Sequence, residues 1–314
     1  MKSLKNINID FYGKRKIFLG ISTALILIGI VCTFIFGVRL DVQFAGGSVI
    51  KYAVDGEVDQ GEIEKIVTDA TGREASVVSN KLIATNENQV TVSFAGNQAI
   101  TLEEQQKVAQ VLSDSYSDRT FKVVSSSSVD PTMGSKFFQK CLVCFGITVV
   151  LLLAYIAFRF KKIGGVSAGL TAILALVHDT LIIFFVFIVM GMRINDIFIA
   201  VVLTLLGYSL NDTIVIYDRI RENERLMGSK ADLATVMNRS LNQVFARSVY
   251  TSVTTFMALL VISIVSTVYG LTSVQSFSVP MLVGVVAGCY SSLFIAAPLY
   301  TMWQIHKRKK AQAK

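Results

Sequence analysis

Proline, cysteine and charge are all scarce in this chain. Three prolines among 314 residues leave long stretches without a helix breaker. Charged side chains make up 17% of the residues against 53% hydrophobic, and the mean hydropathy is +0.57, a balance that excludes an ordinary soluble domain. The four cysteines, Cys32, Cys141, Cys144 and Cys289, all lie inside or at the edge of apolar runs. Cys141 and Cys144 stand one helical turn apart, but no third or fourth ligand is near them in sequence, so they read as packing residues and no metal or cofactor is expected. The first apolar run has no small-residue cleavage site after it and reads as a retained anchor rather than a signal peptide.

What is present is hydrocarbon in long blocks. Apolar runs fall at about residues 17–38, 141–158, 163–192, 197–217, 249–268 and 274–303, each of a length suited to crossing a bilayer. The longest need tilt or interfacial ends. The net charge of +8 does not point to nucleic acid, because the basic residues sit at alternate membrane boundaries and not in one patch. Lys14, Arg15 and Lys16 precede the first run; Arg159, Lys161 and Lys162 follow the second; Arg219 to Arg239 follow the fourth; His306 to Lys310 follow the sixth. The positive-inside rule then places both termini in the cytosol. The expected organisation is a cytosolic N-terminus (1–16), a first transmembrane helix (17–38), an extracytoplasmic domain (39–135), five more helices within 136–303 that enclose a cytosolic amphipathic loop at about 218–247, and a basic cytosolic tail (304–314).

The polar stretch after the first run alternates strand-like and helix-like periods in the order β-α-β-β-α-β, which predicts a small α+β, ferredoxin-like domain. Its parts are a strand at Gly47 to Val54, a helix carrying Ile63, Ile66 and Val67 and stopped at Gly72, a hairpin of Ala75 to Ala84 with Val90 to Phe94 across Asn86-Glu87-Asn88, a helix opened by a Thr101/Glu104 capping box, and a strand at Phe121 to Val124. Ser125 to Ser128, Pro131 and Gly134 read as either a hinge or a rigid turn back to the membrane. On the cytosolic side Gly228 breaks one helix, and Ser229 with Asp232 predicts the start of another, whose stripe of Leu233, Val236, Met237, Leu241 and Val244 suits a membrane surface.

Asp212 is the costliest residue in the chain, since a carboxylate at bilayer depth costs roughly 2.5–3.5 kcal/mol on insertion scales. Its neighbours Tyr208, Ser209, Asn211 and Thr213 suggest a lined, hydrated site, with Ser209, Asn211 or Thr213 able to satisfy the acid locally. Burial disfavours the ionised form and Arg247 is the nearest expected cation, so both protonation states come within reach, as a proton carrier requires. His178-Asp179-Thr180 in the third run echoes Asn211-Asp212-Thr213 in the fourth, which predicts two polar turns facing each other and a second relay at Asp179 and His178. For each residue the structural alternative stays open: Arg247 snorkelling to headgroups, His178 as a packing residue. Gly207, Gly284 and Gly288 are expected at close helix contacts, and Pro280 and Pro298 at kinks in the sixth run.

The stretch from Gly207-Tyr208-Ser209-Leu210-Asn211-Asp212-Thr213 through Asn223 resembles the SecD/SecF family of bacterial protein-export proteins. Ile9-Asp10-Phe11, Asp41-Val42-Gln43-Phe44-Ala45-Gly46-Gly47, Leu176-Val177-His178-Asp179, and Arg239 to Gln243 with Arg247 and Thr251-Ser252 extend the likeness over nearly the whole chain. Ala45 stands where many relatives carry another small or polar residue, a departure that leaves the turn intact. The resemblance implies a six-span half-unit of the RND superfamily in the bacterial cytoplasmic (inner) membrane that pairs with SecD, associates with SecYEG and with YajC and YidC, contacts the unfolded polypeptide in transit, and uses the proton gradient to draw it outward. It also implies that Asp212 and Arg247 take part in proton coupling and that the chain is not an enzyme. An RND-type efflux half-unit and a purely structural membrane scaffold are the alternatives. An intramembrane aspartyl protease fits poorly, because its motifs resemble Tyr-Asp and Gly-x-Gly-Asp, where this chain has His178-Asp179 and Asn211-Asp212.

Overall fold

Six helices in the computed structural model are long and apolar enough to cross a membrane, counted among the described residues 9–56, 58–81, 88–95, 100–116, 119–228 and 231–312. They are α1 (Arg15–Phe36), α5 (Pro131–Arg159), α6 (Gly165–Val189), α7 (Asp196–Met227), α8 (Leu233–Val268), and a sixth span in which α9 (Thr272–Ser291) passes through a π-helical turn (Ser292–Ala296) into α10 (Ala297–Gln312). The 22 residues of α1 rise about 33 Å at 1.5 Å per residue, the thickness of the hydrocarbon layer. Burial sorts the spans. About half of α6, α7 and the sixth span is inside, whereas α1, α5 and α8 present most of their surface outward. Polar caps open the helices where the chain turns: the Asn195 side chain accepts from the Phe198 amide and that of Asp232 from the Thr235 amide.

The region expected to be an amphipathic loop is helical on both sides of the expected break at Gly228, with its apolar stripe packed on the bundle. α7 runs on to Met227, and α8 begins at Leu233 and enters the membrane without a break. At 36 residues α8 is about 54 Å long, so about 24 Å of it projects beyond a hydrocarbon layer about 30 Å thick. Val236, Met237 and Leu241 of that projection are fully buried against the bundle and do not lie on a membrane surface. The helix cap is Asp232; Ser229 lies outside the described residues. The N-terminal segment docks on the same projection. The Asn242 side chain bonds both the amide and the carbonyl of Ile9 (2.8 and 2.9 Å), Asn238 accepts from the Tyr12 amide (2.9 Å) and donates to Asp10 (2.8 Å), and Phe11 is buried against Phe245 and Phe294.

Between α1 and α5 lies the ferredoxin-like domain: β1 (Gly47–Val54), α3 (Gln60–Thr71), β2 (Ala75–Lys81), β3 (Asn88–Ala95), α4 (Leu102–Ser115) and β4 (Phe121–Val129), preceded by the short α2 (Val42–Ala45). The sheet order is β2-β3-β1-β4, antiparallel throughout. Ile50, Tyr52, Val92 and Phe94 from the sheet close on Ile63, Val67, Val108 and Leu112 from the helices. The capping box at Thr101 and Glu104 is formed in both directions, and Gly72 ends α3 in the left-handed conformation. Asn86 and Glu87 of the expected hairpin turn lie outside the described residues.

Ser125 to Ser128 are not a link. They are the second half of β4, paired with Ser48 to Lys51 of β1, and Asp130 then caps α5 directly. Gly134 in the first turns of α5 sits against the backbone of Phe44 and Gly46, where an added Cβ would stand 2.9 Å from the Gly46 amide nitrogen. Gly46 and Gly47 both take positive φ values, 80° and 133°, as their reading as a backbone turn requires. Gly284 and Gly288 do mark close helix contacts, against Ile183, Leu205 and Ser209, but Gly207 faces open space. Pro280 is accommodated inside α9, and Pro298 follows the π-helical turn, which supplies the widened backbone.

Candidate functional site

α7 carries two polar seams on adjacent faces. The first repeats every four residues, at Ser209, Thr213 and Tyr217, so that one stripe of hydroxyls points into the bundle. Ser209 Oγ donates to Asp179 Oδ2 on α6 (2.7 Å), and Ser291 Oγ on α9 donates to the same oxygen (2.8 Å). Asp179 is wholly buried, and its other oxygen lies 3.1 Å from His178 Nδ1. One turn along, Thr213 Oγ1 is 2.9 Å from Ser292 Oγ, which also donates to the Ser209 carbonyl (3.2 Å). A further turn along, the Tyr217 hydroxyl is 2.8 Å from Thr171 Oγ1 and reaches the Ala296 carbonyl at the end of the π-helical turn (3.5 Å). Gly288 makes this seam possible, since a side chain there would press on Ser209 Cβ at 3.1 Å. The ring of His178 packs beside Tyr290, whose hydroxyl donates to the Phe18 carbonyl of α1 (2.7 Å); His178 Nε2 is buried without a partner among the described residues.

The second seam faces α8. Tyr208 and Asp212, again four apart, meet Ser252 and Ser248, also four apart. Ser248 Oγ donates to Asp212 Oδ1 at 2.6 Å, and the Tyr208 hydroxyl donates to Ser252 Oγ at 3.2 Å. Asp212 Oδ2 is buried with no hydrogen-bond partner among the described residues. An oxygen in that state can take a proton without breaking an existing bond, whereas a proton on Asp179 Oδ2 would displace one of two hydroxyl donors.

The expected site residues therefore divide. Ser209 and Thr213 serve Asp179 and Ser292, not Asp212, and Asn211 is exposed and joins neither seam. Arg247 is exposed and makes no ion pair with Asp212; the two charges interact only through space, and the direct partner is the next residue, Ser248. The two Asp-Thr turns do not face each other, because Ser209 meets Asp179 where Asp212 was expected. Residues 209 and 212 are about 60° apart around a helix, at about 100° per residue, enough to place them on different seams. Ser248, Ser291, Ser292, Thr171 and Tyr217 were not singled out from sequence. For Tyr217 and Ser248 the four-residue spacing of hydroxyls along α7 and α8 is the signal, whereas Thr171, Ser291 and Ser292 carry none, since hydroxyl residues are common in apolar helices.

Comparison with known proteins returns one family. Residues 107–306 match the model described as protein export membrane protein SecD/SecF, C-terminal. The chain is 36% identical to the protein translocase subunit SecF of Petrotoga mobilis, over 97% of this chain and 99% of that one. It is 30% identical to the SecDF of Bacillus subtilis, over 97% of this chain but 39% of that longer one. A crystal structure of a Thermus SecDF, described as a translocon-associated membrane protein, superposes with a TM-score of 0.78 at 25% identity, covering 97% of this chain and 40% of that chain.

Proposed function

The chain belongs to the SecD/SecF family of protein-export membrane proteins, and on that premise we propose that it is an accessory subunit of the bacterial Sec translocase that couples proton movement through Asp212 to outward movement of the translocating polypeptide. The observation that carries the coupling is the state of Asp212, which is half-buried, with one oxygen held by the Ser248 hydroxyl and the other buried without a partner among the described residues. Gaining or losing a proton there changes the strength of its bond to Ser248 and hence the fit of α8 against α7. Asp179 and His178 form the second relay on the opposite seam. Arg247 approaches Asp212 when the carboxylate is charged and withdraws when it is neutral.

The chain spans about two fifths of the SecDF proteins it resembles, which supports a separate SecD subunit as its partner, with SecYEG, YajC and YidC beyond it. Both termini lie in the cytosol, and the ferredoxin-like domain stands outside, covalently joined to the moving bundle through α1 and α5. The deciding experiment is export into inverted membrane vesicles. Asp212→Asn is expected to leave expression and partner association intact and to abolish gradient-dependent export. Undiminished export would make the chain a scaffold. Export driven by a sodium gradient and indifferent to a protonophore would replace the proton as the coupling ion.

A further inference from the structure

A cavity of about 970 Å³ opens at the end of the bundle where α5, α7 and α10 end and α8 begins. Four arginines line it, Arg219, Arg221, Arg225 and Arg247. The acids in its wall are already engaged: Asp218 pairs with Arg159 and Arg221 (both 2.9 Å), Glu222 with Arg219 (2.6 Å), and Glu224 with Arg308. Arg225 and Arg247 have no hydrogen bond or ion pair among the described residues, and both are exposed to the cavity. Ile163, Val215 and Val244 add an apolar wall to the cavity.

Two uncommitted guanidinium groups beside an apolar wall match the two halves of an anionic amphiphile. Arginine's planar fork suits phosphate oxygens, and its alkyl stem packs on hydrocarbon. We propose that this cavity binds phosphate groups through Arg225 and Arg247, carried by an anionic phospholipid or free in solution. The binding is independent of the coupling reading. If that reading holds, a phosphate on Arg247 also keeps its guanidinium away from Asp212.

The test is native mass spectrometry of the delipidated, detergent-purified full chain. It is offered phosphatidylglycerol and phosphatidylcholine at equal concentration, then inorganic phosphate. Preferential retention of phosphatidylglycerol supports the site with lipid as its source. Binding of inorganic phosphate without lipid preference supports it with a soluble source. Under either, Arg225→Gln and Arg247→Gln are each expected to reduce binding about fivefold, as for one arginine at a charged membrane surface, while Lys309→Gln in the exposed tail leaves it unchanged. Monodispersity and an unaltered melting temperature establish that a variant is folded, and Arg225→Gln alone suffices if Arg247→Gln is not. No phosphatidylglycerol preference together with no phosphate binding overturns the proposal. So does binding in folded Arg225→Gln equal to that of the wild type, or an equal loss in Lys309→Gln.

Discussion

The two intramembrane aspartates differ in how fully they are satisfied, and that difference sets what each substitution should do. Asp179 Oδ2 is held by two hydroxyls from two other helices. Ser291→Ala is therefore expected to destabilise the purified protein by about 1–3 kcal/mol, the cost of leaving a buried acceptor short of a donor, read as a lower melting temperature in detergent. Ser248→Ala on the other seam should behave differently. It removes the only hydroxyl on Asp212 and is expected to change the pH profile of export while lowering the melting temperature less than Ser291→Ala does. An unchanged profile would argue that Ser248 is a packing contact alone. The aspartates themselves were legible from sequence because a carboxylate in hydrocarbon is costly enough to stand out. Their serines were not, since a hydroxyl can be absorbed by its own helix's carbonyls, as Thr180 and Thr204 are here.

Among the elements, two joints carry connections that no periodicity reveals. One is the seat of α2 on α5, where Gly134 lies against Gly46 and Phe44 packs on Phe137 and Phe138. Gly134→Ala would push a methyl onto backbone and not onto a movable side chain. An overpacking loss of about 1–3 kcal/mol is expected, with faster proteolysis of the outer domain as its sign. The other joint is the N-terminal segment on α8. Asp10 there is exposed, and the Gly13 amide together with the Asn238 side chain holds its carboxyl below the usual carboxylate range. Because the folded value is lowered, the stabilisation is fully present above the ordinary carboxylate value of about 3.9 and is lost as pH falls through the lowered value. Hydrogen exchange at the Ile9 and Tyr12 amides should therefore accelerate below about pH 4, and Asp10→Ala should abolish that dependence. The serine run was misread as a link for a related reason. Serine has no strong strand signature, and only the pairing of β4 with β1 makes it a strand.

For the molecule as a whole, orientation and partnership are the quantities to measure. In intact cells, a cysteine placed at Leu102 on the exposed flank of the outer domain should react with a membrane-impermeant maleimide. One placed at Lys309 should react only after the membrane is opened. The reverse result would invert the topology. Purification from native membranes should return a SecD-like protein with the chain, as the greater length of the SecDF relatives suggests.

The amino-acid order alone determined the six spans, the order of elements in the outer domain and the presence of a costly acid at Asp212. Each of these follows from local quantities: hydropathy over one bilayer thickness, a two- or 3.6-residue period, and the energy of one charge in hydrocarbon. Only tertiary structure decided that Ser209 serves Asp179 while Ser248 serves Asp212, that Arg247 turns to a charged cavity, and that the connection between α7 and α8 is two extended helices packed on the core. Those outcomes depend on how far each helix is rotated about its own axis against its neighbours. About 60° separates one seam from the next, and interhelical packing rather than any single segment sets that angle.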